Sequence, residues 1–169
     1  MKKSPMIRPS SILAFALLSI AALVVTPRLA GAFGYEGVGG KLGYSSGEDL
    51  DGTAALSVHT EFAQDGSRLH MLPNVTYWRV DGMRDLSPNF DLYYHFAPEG
   101  QVTPYVGGGM GINFMRNERR DISDAQLGVN MLGGVRFPGT SHSYFLEGRY
   151  TASDVPQAMV MAGVTFKNH

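Results

Sequence analysis

AMVMAGVTF, residues 158–166, is the stretch in which side chains alternate in character most clearly. Successive side chains leave a β-strand on opposite faces, so every second residue shares a face. One face of this stretch is entirely apolar and ends in an aromatic ring: Ala158, Val160, Ala162, Val164 and Phe166. The stretch therefore predicts a strand that turns one face toward an apolar environment.

The same alternation recurs along the whole chain from residue 35 onward. Clusters of Gly, Pro, Asp, Asn and Ser, which favour turns, separate the alternating stretches. We predict strands near residues 35–45, 53–62, 70–80, 88–97, 103–115, 125–137, 144–152 and 157–166. The links are too short for parallel crossovers, so neighbouring strands must be antiparallel. Strands of about 9–11 residues also have the length that a bilayer crossing needs.

The first 32 residues have a different character. Positive residues come first, as Lys2, Lys3 and Arg8, and an apolar run from Ile12 to Val25 follows. Ala30-Gly31-Ala32 then offers small residues at a cleavage site. This order is typical of a secretory signal peptide, and an apolar run of about 14 residues is short for a membrane-spanning helix. We expect a cleaved signal peptide over residues 1–32 and one domain over residues 33–169.

Composition excludes several classes of function. The chain has no cysteine, which removes disulfides, thiolate metal sites, a cysteine nucleophile and a lipoprotein anchor. Four of its 14 basic residues lie in the first 32, so the remainder carries 10 basic and 15 acidic residues. A mildly acidic domain without a basic run is unsuited to nucleic acid. No cofactor is expected.

The polar residues of the alternating stretches distinguish two kinds of barrel. A membrane barrel turns its apolar face to lipid and its polar face inward, whereas a soluble barrel does the reverse. The signal peptide and the aromatic residues near the strand ends favour the membrane barrel. We predict an all-β, eight-stranded antiparallel up-and-down transmembrane barrel, whose narrow interior is filled by side chains. Its buried charges should pair in one network of Lys41, Glu61, Asp91, Arg136, Glu147 and Arg149, with Arg136 and Arg149 sharing the carboxylate of Glu147.

The sequence also resembles a known family, the outer-membrane protein β-barrel domains akin to the OmpA membrane domain, OmpX and OmpW. PYVGGGMGINF (104–114), LGVNMLGGVRF (127–137), YFLEGRYT (144–151) and AGVTF (162–166) are similar to its fifth to eighth strands. The resemblance implies an outer-membrane location. It also implies that the last strand is read by the assembly machinery through Val160, Ala162, Val164 and Phe166. In this chain Lys167, Asn168 and His169 follow the aromatic residue, which is usually last.

With the chain start in the periplasm, loops near residues 46–52, 81–87, 116–124 and 153–156 should be extracellular. Arg116, Arg119 and Arg120 in the third of these loops are candidates for contact with lipopolysaccharide phosphates, which arginine suits well. The alternative is a solvated loop whose charges pair with one another.

Candidates for catalysis and metal binding are weaker. In Ser141-His142-Ser143, His142 and Ser143 are adjacent and would point to opposite faces of a strand, which disfavours joint catalysis. His59, Glu61, Asp91 and His95 could ligate zinc, but interior hydrogen bonding explains them equally well. We expect a monomeric, non-enzymatic barrel with a structural or interaction role. The alternatives are a narrow channel for small solutes and, more remotely, a lipid-modifying enzyme.

Overall fold

The structure is a computed structural model that describes residues 33–47, 50–64, 66–97, 101–117 and 122–168. The expected signal peptide lies outside these residues. The strands are β1 (Gly34–Gly47), β2 (Leu50–Ala63), β3 (Leu69–Val80), β4 (Met83–His95), β5 (Thr103–Asn117), β6 (Ile122–Pro138), β7 (His142–Ala152) and β8 (Gln157–Lys167). The described part of the chain holds no helix with the length and apolar character that a membrane span requires.

The eight strands form a closed barrel in which each strand pairs with its neighbours in the sequence. All pairings are antiparallel, and β1 closes the sheet by pairing with β8 from Gly37↔Lys167 to Gly47↔Gln157. Among the described strands, closure leaves no strand without a neighbour on each side. The predicted eight-stranded antiparallel up-and-down barrel is confirmed.

The two ends of the barrel are named by the strand ends that lie there. We call the end where β1 begins and β8 ends the terminal end, and the opposite end the distal end. At the distal end, Asp81 and Gly82 alone connect β3 to β4, both with positive φ (48° and 80°). Asp-Gly at the two central positions of a tight hairpin turn meets this requirement. The predicted loop over residues 81–87 is therefore wrong: β4 begins at Met83, five residues earlier than the sequence indicated.

The outer face of the barrel is apolar around its whole circumference. Large side chains exposed there come from every strand, among them Leu42, Val58, Tyr77, Leu92, Met110, Leu127, Leu146 and Val160. Aromatic side chains lie toward the strand ends, including Tyr44, Phe96, Phe137, Tyr150 and Phe166. The interior holds the alternate residues, most of which are fully buried.

The interior is less uniformly polar than the sequence suggested. One buried apolar cluster consists of Leu72, Tyr93, Tyr105, Leu132 and Phe145. A second, nearer the distal end, consists of Ala55, Trp78, Met159 and Met161. Tyr93 and Phe145 of the first cluster lie beside the charged groups, with their ring centroids 5.8 and 5.4 Å from Lys41 Nζ.

Candidate functional site

The most distinctive chemistry of the molecule is a set of four charged side chains across the middle of the barrel interior. We call Lys41, Asp91, Glu147 and Arg149 the central network. They come from β1, β4 and β7, and none is more than 5% exposed. Two acids and two bases make the network formally neutral, as burial of charge requires.

Glu147 is the centre of this network. Its carboxylate accepts hydrogen bonds from Lys41 Nζ at 2.8 and 3.0 Å and from Arg149 Nη2 at 3.3 Å. The hydroxyls of Tyr93 and Tyr105 donate to the same carboxylate, each at 3.2 Å. The two tyrosine rings stack with their centroids 5.1 Å apart. One buried acid thus holds together residues from four strands.

Asp91 forms the second half of the network. Its Oδ2 accepts a hydrogen bond from Arg149 Nη2 at 2.6 Å and another from Asn74 Nδ2 at 2.7 Å. Asn130 Nδ2 donates to Oδ1 at 3.0 Å, and Thr151 in turn donates to Asn130 Oδ1 at 2.9 Å. Arg149 therefore links the two buried carboxylates. Its Nε and Nη1 have no hydrogen-bond partner within the described residues.

A separate group of charges lies nearer the terminal end. We call Glu61, His70 and Arg136 the terminal cluster. Arg136 Nη1 donates to Glu61 Oε1 at 2.5 Å and Nη2 donates to Oε2, a two-pronged ion pair. His70 Nδ1 lies 2.8 Å from Glu61 Oε1, and the His70 ring packs on His95 with a centroid distance of 4.1 Å.

The terminal cluster corrects one expectation from the sequence. Arg136 does not share the carboxylate of Glu147, because the β6–β7 register pairs Gly134 with Glu147 and places Arg136 opposite Phe145. Arg136 therefore lies two residues nearer the terminal end than Gly134 does, and its guanidinium group binds Glu61 there. The six predicted interior charges are thus all inside the barrel, but they form two groups.

The terminal cluster borders a pocket of about 50 Å³ at the terminal end. Its lining includes Glu61, His70, His95, Arg136 and Ser143. Among the described residues, no group of three or more His, Asp or Glu side chains is arranged to hold a metal ion. Glu61 and Asp91, two of the four zinc-ligand candidates, instead bind arginine.

The remaining predicted residues lie on the outside or beyond the described chain. Arg116 is exposed near the end of β5, while Arg119 and Arg120 lie outside the described residues. On β8, Val160 and Phe166 are 61% and 58% exposed, Ala162 is exposed and Val164 is half-buried. His142 packs against Tyr144 on the outer face, whereas Ser143 is buried inside.

Several residues of the interior site were missed from the sequence. Tyr93 and Tyr105 occupy inward-facing positions of β4 and β5, and nothing in the sequence indicates that they bind Glu147. His70 was not identified because its face of β3 also carries Leu72 and Trp78, which conceal the polar pattern. Asn74 and Asn130 occupy inward-facing positions of β3 and β6. The alternation along these strands was the one feature of the sequence that indicated them.

No protein-family model matches the sequence, and a comparison with curated proteins gives no match. Solved structures of similar fold do exist. The Neisserial surface protein A (NspA) matches with a TM-score of 0.64 and 16% identity over 81% of this chain and 97% of its own. The N-terminal β-barrel domain of Pseudomonas aeruginosa OprF matches with a TM-score of 0.60 and 16% identity over 80% and 100%. The outer membrane enzyme PagL matches with a TM-score of 0.51 and 16% identity over 75% and 97%.

These likenesses define a class. The chain has the fold of the small, eight-stranded outer-membrane β-barrels, as its resemblance to the OmpA and OmpX type predicted. Proteins of different activity share this fold, so the fold by itself assigns no role.

Proposed function

We propose that this protein is a non-enzymatic integral barrel of the outer membrane with a structural or interaction role in the cell envelope. The observation that carries the proposal is the inverted polarity of the barrel. Leu127 is 70% exposed and Val58 is 64% exposed on the outside, whereas Glu147 and Asp91 are 0% exposed inside. Lipid is the solvent that makes this arrangement stable.

The dimensions of the outer face support this location. Outward-facing residues from Leu86 on β4 to Phe96, which directly follows the strand, form an apolar column. At about 3.3 Å per residue and a tilt of about 45°, the column rises roughly 23 Å, close to the height of about 25 Å of the apolar band of an outer-membrane barrel. The expected signal peptide would deliver the chain start to the periplasm, so the terminal end is periplasmic in this proposal and the distal end extracellular.

The proposed partners follow from the same surface. Outer-membrane lipid, including lipopolysaccharide, covers the apolar band. The outer-membrane assembly machinery would recognise the outward face of β8, formed by Val160, Ala162, Val164 and Phe166. We propose a monomer, because a closed barrel presents no strand edge to a second copy.

An arginine placed in the apolar band tests the proposal. Leu92→Arg and Val129→Arg, both outward-facing, should block folding into liposomes, because arginine at mid-membrane costs about 2–4 kcal/mol. Ser123→Arg is the matched control, since Ser123 faces outward on β6 beyond the band. Folding is measured by heat-modifiable migration on a gel. A normal folded yield for Leu92→Arg would overturn the membrane assignment.

A narrow channel for small solutes is the second candidate. The pocket of about 50 Å³ at the terminal end favours it, but the central network stands between that pocket and the distal end. Single-channel recording in planar bilayers distinguishes the two. We expect no discrete openings from the wild-type protein, and regular conductance steps would establish the channel instead.

A lipid-modifying enzyme is the remote alternative, since PagL is an outer membrane enzyme with a similar fold. In this chain His142 and Ser143 lie on opposite faces of β7, which opposes a shared catalytic role. Incubation of the folded protein with outer-membrane lipids, followed by mass spectrometry, should leave the lipids unchanged. A released acyl chain would contradict the non-enzymatic proposal.

A further inference from the structure

One buried acid lies apart from both charged groups of the interior. Asp85 is 1% exposed. Its Oδ2 accepts a hydrogen bond from the hydroxyl of Ser87, and its Oδ1 has no hydrogen-bond partner. The other acids that the described residues bury, Glu61, Asp91 and Glu147, each bind a lysine or an arginine. A buried carboxylate is unfavourable without a partner of opposite charge, so Asp85 needs either a proton or a cation from outside the chain.

The side chains beside Asp85 are methionines and a tryptophan. Its direct partners in the sheet are Trp78 on β3 and Met115 on β5, and such partners lie about 4.5–5.5 Å apart at Cβ. Met83, two residues away on β4, shares the inward face of Asp85. Met83 and Met115 both pack, partly buried, against the apolar cluster that contains Trp78 and Met159. The carboxylate is thus bordered by thioether side chains.

These donors determine which kind of cation suits the position. Ca²⁺ and Mg²⁺ require about six oxygen ligands, and the two side chains that offer oxygen here are Asp85 and Ser87. Thioether sulfur is a soft ligand and favours soft ions, of which Cu(I) is the main example in proteins. A single carboxylate also balances the charge of a monovalent ion, which leaves the buried site neutral.

Trp78 strengthens this preference for a cation. Its Nε1 donates a hydrogen bond to Gln157 Oε1 at 3.0 Å, so this N–H is engaged elsewhere and the ring is held in place. The face of an indole ring attracts cations. Trp78 therefore supplies a weak additional contact beside the carboxylate and no competing ligand.

We propose that Asp85, Met83 and Met115 bind a soft monovalent metal ion of the Cu(I) type, with Trp78 beside it. Met83 begins β4 and Met115 lies two residues before the end of β5, both at the distal end. Their partial exposure lets an ion reach Asp85 from that end of the barrel. The inference goes beyond the proposed structural role, and only entry from outside the cell rests on the proposed orientation.

Titration with Ag⁺, an air-stable analogue of Cu(I), tests the proposal on the full-length protein folded in detergent micelles. Chloride-free buffer prevents precipitation of the silver. Because Trp78 is the one tryptophan of the chain, and a heavy ion beside an indole ring quenches its emission, Ag⁺ should quench the wild-type fluorescence in a saturable way. Asp85→Asn, Met83→Leu and Met115→Leu should each raise the dissociation constant about tenfold or more.

Met110→Leu is the matched control. Met110 lies on the outer face and is 62% exposed, so this variant should bind Ag⁺ as the wild type does. Ca²⁺ and Zn²⁺ should leave the fluorescence unchanged, and Cu(I) under reducing conditions should rank the variants in the same order as Ag⁺. Leucine keeps the approximate volume of methionine, and heat-modifiable migration on a gel checks that each variant is folded.

A second measurement needs no variant. An ion that binds only the folded state stabilises it, so Ag⁺ should raise the urea midpoint of the wild type and Ca²⁺ should not. An unchanged midpoint with Ag⁺, or equal Ag⁺ affinity in the wild type and in the Met83→Leu, Met115→Leu double variant, overturns the inference: the methionines then only fill space and Asp85 is neutralised by a proton. Failure of the wild type to fold into liposomes overturns the membrane proposal instead and leaves the metal titration in micelles as it stands.

Discussion

The central network and the terminal cluster use the same chemistry in different surroundings. Lys41, Asp91, Glu147 and Arg149 are at most 5% exposed, and aromatic rings enclose them. In the terminal cluster the Arg136 side chain is 16% exposed, and the cluster borders a pocket of about 50 Å³. The difference indicates that the buried ion pairs have two settings here: those in the middle are enclosed by the interior, and the one at the terminal end borders a pocket and is partly exposed through Arg136.

Loss of the Glu147 carboxylate should lower the free energy of unfolding more than a change in the terminal cluster does. Glu147→Gln leaves Lys41 and Arg149 close together with one carboxylate fewer, and loss of one partner of a buried pair costs about 3–5 kcal/mol. We expect a clearly lower urea midpoint for unfolding in liposomes. Lys41→Met combined with Glu147→Gln restores neutrality and should recover part of the loss. An unchanged midpoint for the single variant would mean that the centre of the barrel is hydrated.

The corresponding substitution in the terminal cluster should lower the free energy of unfolding by a smaller amount. Glu61→Gln removes the acceptor of Arg136, but solvent reaches this guanidinium and replaces part of the lost interaction. We expect a loss of about 1–3 kcal/mol, smaller than that of Glu147→Gln measured under the same conditions. Equal losses in the two variants would remove the distinction between a closed centre and an open end.

Added volume in the centre should also destabilise the barrel. A Cβ at Gly109 would overlap Oδ1 of Asp91 and the backbone of β4, so Gly109→Ala should cost about 1–3 kcal/mol by overpacking. Gly108→Ala is the control, because its Cβ would point outward with Asn130 O as its nearest atom at 3.3 Å. Urea midpoints that fall equally for the two variants would contradict a tightly filled interior at this level.

The smallest expected loss of stability comes from a substitution in the interior near the distal end. Trp78 is 1% exposed, and its Nε1 donates to Gln157 Oε1 at 3.0 Å. Trp78→Phe keeps the ring but loses this hydrogen bond, so unfolding should become easier by about 1 kcal/mol. Because Trp78 is the one tryptophan of the chain, acrylamide should quench wild-type fluorescence poorly. Efficient quenching would show that solvent enters from the distal end.

Much of the fold was predictable from the sequence because its cause is local. Alternation assigns each side chain to a face without knowledge of distant residues, and the turn clusters separate the eight strands. Strand ends were predicted less well. The stretch Arg84 to Ser87 contains residues typical of turns, but the positive φ at Asp81 and Gly82 completes the hairpin earlier and leaves this stretch in β4.

Alternation and turn residues in the sequence are enough to predict the number of strands, their antiparallel order, the closed barrel and the inward position of the six charged residues. Which acid binds which base depends on the folded barrel. Lys41 and Glu147 are 106 residues apart in the chain, and β8 lies between their strands. Their contact depends on how the strands are offset around the closed barrel. Alternation has a period of two and carries no information on that offset, because a shift of two residues keeps every side chain on its face while it changes every partner.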